Sequence, residues 1–450
     1  MDVLTRRLDR IHIAARPASV DAQGGSRWGA VQALGDISLD SSVPLESVTS
    51  HARLAKRVAD AGVSIFTEMS SLARLHGAVN LGQGYPDFPG PDWVKEAAVA
   101  AIQDDINQYA QSQGSIRLRQ QLARAYGPRL NRDLDPETEV SVTSGATEGV
   151  FCAMLALLEP GDEVVVFDPA YESYRAAIAY AGGIPRHVPL YAPDSRHPVW
   201  WFDAGELRAA FGTRTRVLLI NTPHNPTGKV FTHAELGEIA ALCREFNVVA
   251  VTDEVYERLT YGAPHVSLAA LPGMWDRTLT ISSGAKTFSV TGWKIGWALG
   301  PADLLRGLAA VHQSIVFCAA APLQEGIAAG LAGADSRCYY AALQASYQER
   351  RDFLVVALAS AGLPSYPTQG SYFLLCDISA LGMADDVAFC RALTAEAHVT
   401  AIPPSAFYAP QNRHLGQRLA RFAFCKRMET LAEAAHRLQT WSATWSSQRR

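Results

Sequence analysis

Between residues 94 and 330, short runs rich in branched apolar residues alternate with segments whose apolar positions recur three or four apart. The runs EVSVT (139–143), EVVVF (163–167), RVLLI (216–220), VVAVT (248–252), RTLTI (277–281) and GWALG (296–300) predict strands. The stretches between them predict helices near 145–158, 171–181, 203–211, 233–246 and 301–314. Apolar strands separated by amphipathic helices are the signature of βαβ units, which build a mostly parallel sheet covered on both faces. From about 335 to 445 helices mix with short strands around SYFLLCDI and RLARFAFCK, which predicts a smaller α+β domain. Residues 1–50 show no sustained period and read as a flexible N-terminal extension ahead of a helical pattern from about 51. The expected division is therefore 1–50, 51–93, a large domain over 94–330 and a C-terminal domain over 331–450.

The length of 450 residues, with 48% apolar and 19% charged, is that of an ordinary globular chain and excludes collagen-like or wholly disordered readings. A net charge of −4 supplies no broad positive field for nucleic acid. The longest apolar runs, such as VFCAMLALL at 150–158, fall far short of the ~20 residues a membrane-crossing helix needs. Seven cysteines, scattered without a CxxC pair or a Cys/His cluster, predict reduced thiols in a cytoplasm and no metal centre. The early arginines are not followed by a continuous apolar segment, so no secretory signal is expected.

In open α/β sheets, ligands gather at the carboxyl ends of strands, and there the polar residues of this chain accumulate. Lys286 follows RTLTI within SSGAKTFSVTGWKIGWALG, and Lys294 stands eight residues on. Asp253 follows VVAVT in VTDEVY with Tyr256 close behind, and Asn225 lies in NTPHNPTGK after RVLLI. TSGATEG (143–149) joins a strand to a helix, and the amides of such a turn can hold a phosphate. A P-loop GK[ST] and a GxGxxG are both missing there, which disfavours nucleoside triphosphates and dinucleotides and leaves a phosphate-bearing cofactor. Taken singly, Lys286 reads as a solvated surface charge, while Asp253 reads equally as an N-cap or as a carboxylate facing a cation such as a protonated pyridine, and Asn225 equally as a turn former or a site residue.

Together, NLGQGYPDF, NQYAQSQGSIRLR, NTPHNPTGKVF, TDEVYERL, LPGMWDRTLTISSGAKTFSVTGWKIGW, QGSYFLL and RFAFCK resemble, in order, the class I aminotransferases of fold type I. The likeness spans roughly residues 60 to 445 and is to the kynurenine aminotransferase, glutamine transaminase K and methionine aminotransferase type. It implies a seven-stranded, mostly parallel sheet in a large domain that binds pyridoxal 5'-phosphate, with residues 51–93 serving the small domain and the active site. By that resemblance Lys286 links to the cofactor and moves the substrate's α-proton, and Asp253 pairs with the pyridinium nitrogen. Tyr256 and Asn225 donate to the cofactor's phenolic oxygen, and Tyr171 stacks on the ring. Gly145, Ala146, Thr147, Ser283 and Lys294 hold the phosphate, with Tyr109 reaching over from a second subunit. Arg421, helped by Asn225, grips the substrate carboxylate.

Gly84, Phe66, Tyr109, Phe317 and Cys318 match substrate-pocket positions of the family, Phe317 being supplied by the neighbouring subunit. Cys318 departs from the histidine usual in animal kynurenine aminotransferases, so their side-chain preference does not carry over. The resulting expectation is a cytoplasmic homodimer that exchanges an amino group between an aromatic, sulfur-containing or other neutral L-amino acid and a 2-oxo acid. A cysteine-conjugate β-lyase, an oxidase or cyclase on the same scaffold, and an effector-binding regulator are its rivals.

Overall fold

The computed structural model describes residues 55–59 and 62–448. The extension expected over residues 1–50 lies outside the described residues. The chain divides after Ala59 into two units, and the described part of the first is a single helical turn, Lys56–Ala59. The described residues of the second unit carry eleven strands: β1 (Val79–Asn80), β2 (Val140–Thr143), β3 (Glu163–Asp168), β4 (Ile184–Pro189), β5 (Thr215–Asn221), β6 (Val249–Asp253), β7 (Thr278–Ser283), β8 (Gly296–Leu299), β9 (Phe373–Asp377), β10 (Val399–Thr400) and β11 (Leu419–Ala423). Seven of them form one sheet in the order β2-β8-β7-β6-β5-β3-β4, with β8 antiparallel to both its neighbours and the other pairings parallel.

The six expected strands are all present, and the expected helices appear at 146–157, 172–180, 204–210, 233–245 and 302–315. Their starts follow local chemistry. Asp203 caps helix 204–210 at the amide of Glu206, and Thr232 with Glu235 forms a reciprocal capping box on helix 233–245. The seventh strand of the sheet, β4, has no apolar run: IPRHVP sits at the sheet edge with its first residues exposed, where proline and charge are tolerated.

The strands are buried because helices cover both faces. Val165, Phe167, Leu218 and Ile220 pack with Leu236, Ile239 and Cys243 of helix 233–245 on one side. The alternate residues Val164, Val166, Val217 and Leu219 pack with Val150, Ala153 and Met154 of helix 146–157 and Leu305 and Leu308 of helix 302–315 on the other. A further core joins the C-terminal helices 339–360 and 428–448 to β9, β10 and β11, which carry Phe373, Val399 and Phe422. Among the described residues no helix is long and apolar enough to cross a membrane.

This architecture brings three polar strand ends side by side. Asn221 of β5 pairs in register with Asp253 of β6, and Asp253 with Ile281 of β7, two residues before Ser283. On the far side of β7, β8 begins at Gly296, tight against the turn that starts helix 146–157. A Cβ at Gly296 would stand 2.5 Å from the Gly145 carbonyl carbon and 2.6 Å from the Ala146 nitrogen. Gly296→Ala must therefore displace backbone, and it is expected to cost about 1–3 kcal/mol, read from the urea unfolding midpoint.

Candidate active site

The strand ends open into a cavity of about 460 Å³. Of the residues singled out in the sequence, Phe66, Gly84, Gly145, Ala146, Thr147, Tyr171, Asn225, Asp253, Tyr256, Ser283, Lys286, Lys294 and Arg421 all line it. Tyr109, Phe317 and Cys318 do not line the cavity of their own chain. Tyr109 is 83% exposed and stacks edge-on with Phe317 at 5.1 Å.

Lys286 sits on a single helical turn, Gly284–Thr287, directly after β7. Its Nζ donates to the carbonyl of Gly84 at 3.3 Å, an oxygen that also accepts from the Tyr372 hydroxyl. Burial lowers its pKa to about 8, against the opposing pull of Cys425 and Asp253. Lys229, the other lysine near a strand end, is held by Glu235 at 2.6 Å and by the Trp200 carbonyl at 2.7 Å, away from the cavity.

Asp253 is buried without an ion pair among the described residues, and that burial raises its pKa. Two donors hold its carboxylate: the Tyr174 hydroxyl at 2.5 Å and the Val255 amide at 3.2 Å. Asn221 ties the neighbouring strand to the same place, its side chain donating to the Asp253 carbonyl at 2.8 Å and accepting the Asn225 amide at 2.7 Å. Tyr256 packs edge-on against Tyr372 at 5.0 Å, and burial raises its pKa.

Arg421, on β11, is fully enclosed. Its guanidinium donates to Asn225 Oδ1 at 3.0 Å and to the Gly82 carbonyl at 2.7 Å, while the buried Nε has no partner. Phe66, Phe373 and Phe407 surround it at 5.1, 4.2 and 5.1 Å, and burial lowers its pKa to about 10. Tyr171 stands edge-on to Phe66 at 6.5 Å and to Tyr174 at 5.8 Å. Beside it, Glu172 accepts from the Ser64 hydroxyl through both carboxylate oxygens, at 2.8 and 3.0 Å.

Tyr174, Asn221, Ser64 and Glu172 were not anticipated. Asn221 obeys the strand-end rule that flagged its neighbours, and Tyr174 lies three residues beyond Tyr171, on the same helix face. Ser64 and Glu172 are 108 residues apart, and nothing local links them.

A phosphorylated pyridine fits these residues. No side chain caps the start of helix 146–157, and its N-cap Gly145 has φ +83°, a conformation that favours glycine, so free amides and the nearby Lys294 are left to face an anion. The same cavity holds a buried carboxylate without an ion pair among the described residues and a lysine of lowered pKa. This site, on this sheet, is that of a pyridoxal-phosphate enzyme of fold type I.

The model of the family "Aminotransferase class I and II" matches residues 77–438, and the chain belongs to that family. It is similar to the probable N-succinyldiaminopimelate aminotransferase DapC of Mycobacterium tuberculosis, 46% identical over 83% of this chain and 95% of the relative. It is also similar to the kynurenine–oxoglutarate transaminase of Dictyostelium discoideum, 38% identical over 84% and 94%. The structure of YbdL from Escherichia coli, described as having a methionine aminotransferase function, aligns with a TM-score of 0.80 and 37% identity over 86% of this chain and 99% of that one. The protein is an aminotransferase whose cofactor is pyridoxal phosphate.

The lowered pKa of Lys286 gives the first test of the site. The neutral amine is the nucleophile, so its capture of pyridoxal phosphate in the cofactor-free protein should rise as pH increases through about 8. Borohydride reduction and peptide mapping across that range should place the label on Lys286, with Lys294 and Lys229 unlabelled.

Proposed function

We propose that this aminotransferase takes its amino group from neutral L-amino acids with aromatic, thioether or similar side chains and passes it to a 2-oxo acid. The observation that carries this reading is the allocation of positive charge in the cavity. Lysine and arginine enter its lining three times, as Lys286, Lys294 and Arg421, and each has a task. Lys294 with Ser283 and the amides of Gly145, Ala146 and Thr147 holds the cofactor phosphate. Lys286 takes the proton from the α-carbon and returns it, and Arg421 with Asn225 fixes the α-carboxylate in a bidentate grip. No further cation among the described residues lines the cavity to meet a distal carboxylate, whose burial unpaired costs several kcal/mol.

The bound cofactor supplies an electron sink for the charge left on the α-carbon. Asp253, its carboxylate fixed by Tyr174 and the Val255 amide, would pair with the pyridine nitrogen and hold it protonated. Tyr256 and Asn225 would donate to the cofactor's phenolic oxygen, and Tyr171 would stack on its ring. Gly84 and the Phe66 ring shape the space beside the reacting carbon, where an apolar donor side chain gains ~1.5–3 kcal/mol from burial.

We further propose a homodimer with shared sites, in the cytoplasm. Tyr109, Phe317 and Cys318 then serve the cavity of the other subunit. Support comes from the exposed apolar residues near them, Val99, Ile102 and Ile106 on one segment and Ile315 and Val316 on another. Sedimentation at assay concentration should give a dimer, and an active monomer would overturn the shared site.

The name of the mycobacterial relative supports a second reading, a donor of the N-succinyldiaminopimelate kind with carboxylates far from the reacting carbon. With one fixed acceptor, kcat/KM for methionine, phenylalanine and kynurenine should exceed that for aspartate by about tenfold or more. Preference for N-succinyldiaminopimelate over every neutral donor would establish the second reading instead.

A further inference from the structure

We infer that Glu172 is a specificity-determining residue: with Ser64 it forms an acidic pole of the cavity that rejects anionic donor side chains and receives neutral ones ending in an N–H donor. The inference rests on the neutral-donor reading and gives it a second, repulsive cause, beyond the missing cation.

Glu172 is the first residue of helix 172–180, and its backbone follows directly from Tyr171 at the cofactor ring. Both Glu172 and Ser64 line the cavity. Ser64 is fixed by its own duty: it is the N-cap of helix 65–75, accepting the Phe66 amide at 3.3 Å while its hydroxyl donates to both oxygens of Glu172. One hydroxyl proton cannot satisfy two carboxylate oxygens, which offer about four acceptor sites.

Glu172 makes no ion pair with lysine, arginine or histidine among the described residues. Arg175, on the same helix, donates instead to the carbonyls of Tyr408 at 2.7 Å and Ala406 at 2.5 Å. The cavity is thus polarised. Arg421 attracts the α-carboxylate, and Glu172, with no cation in contact among the described residues, presents a carboxylate on the same lining. A like charge brought into such a space is disfavoured strongly enough to exclude a partner, and this is how a site selects against the wrong ligand as well as for the right one. An amide, arylamine or indole N–H instead meets a charged acceptor.

Glutamine and glutamate test this directly, since they match in size and differ in the sign of the interaction at the far end. The readout is the ratio of kcat/KM for glutamine to that for glutamate, in which any general damage to the enzyme cancels. Wild type should favour glutamine. Glu172→Gln should shrink the ratio by about tenfold or more, and Glu172→Ala should do the same if the amide variant folds poorly. Glu172→Asp should keep most of the discrimination, because the charge remains. Bound cofactor is confirmed for each variant by its absorbance.

A ratio within about twofold of wild type in both charge-free variants would overturn the role of Glu172 while leaving the neutral-donor reading intact. Preference of the wild-type enzyme for glutamate would overturn that reading before any variant is made. Loss of discrimination in Glu172→Asp equal to that in Glu172→Gln would also reject charge as the cause.

Discussion

A carboxylate buried at the end of a parallel strand is the constraint around which this site is organised. Asp253 has its carboxyl in the interior with two neutral donors and no ion pair among the described residues, an arrangement that is costly unless a cation completes it. The sheet makes the position possible. β5, β6 and β7 are parallel neighbours, so their ends line up, and Asn221 stitches β5 to the carbonyl of the same aspartate. Lys286 and Ser283 then follow from the end of β7, and Asn225 from the end of β5. What the fold contributes to the chemistry is this alignment, and the apolar strand bodies hold it in place.

The strands of that sheet were legible in the sequence because burial on both faces removes the need for polar alternation, leaving continuous apolar runs. β4 was not, because the edge of a sheet needs neither: its prolines and charges are harmless where one side has no partner strand. The same contrast separates the site residues. Lys286, Asp253, Asn225 and Arg421 stand in ordered motifs that a resemblance can match one by one, and the structure gathers them. Glu172 looks like an ordinary acidic residue in the first turn of a helix, a place where carboxylates are favoured for the helix dipole alone. Its partnership with Ser64 exists only because helix 65–75 and helix 172–180 meet in three dimensions.

Tyr109 and Phe317 mark another limit of a single chain. Their rings meet each other and sit on the surface, outside the cavity of their own chain. A chain's own packing gives no reason to expose two aromatic rings together, since their burial is worth more than that of most side chains.

The groups at the strand ends and the wall formed by Ser64 and Phe66 differ in what holds them. Lys286 and Asp253 are anchored by strands at the centre of the sheet, whereas Ser64 and Phe66 belong to a helix with only two buried residues, Met69 and Ala73. A substitution along that helix can move the wall without disturbing the strand ends. Inheritance can therefore act on the two separately: the wall on the N-terminal helix can drift in a lineage carrying this fold while the strand ends are passed on unchanged.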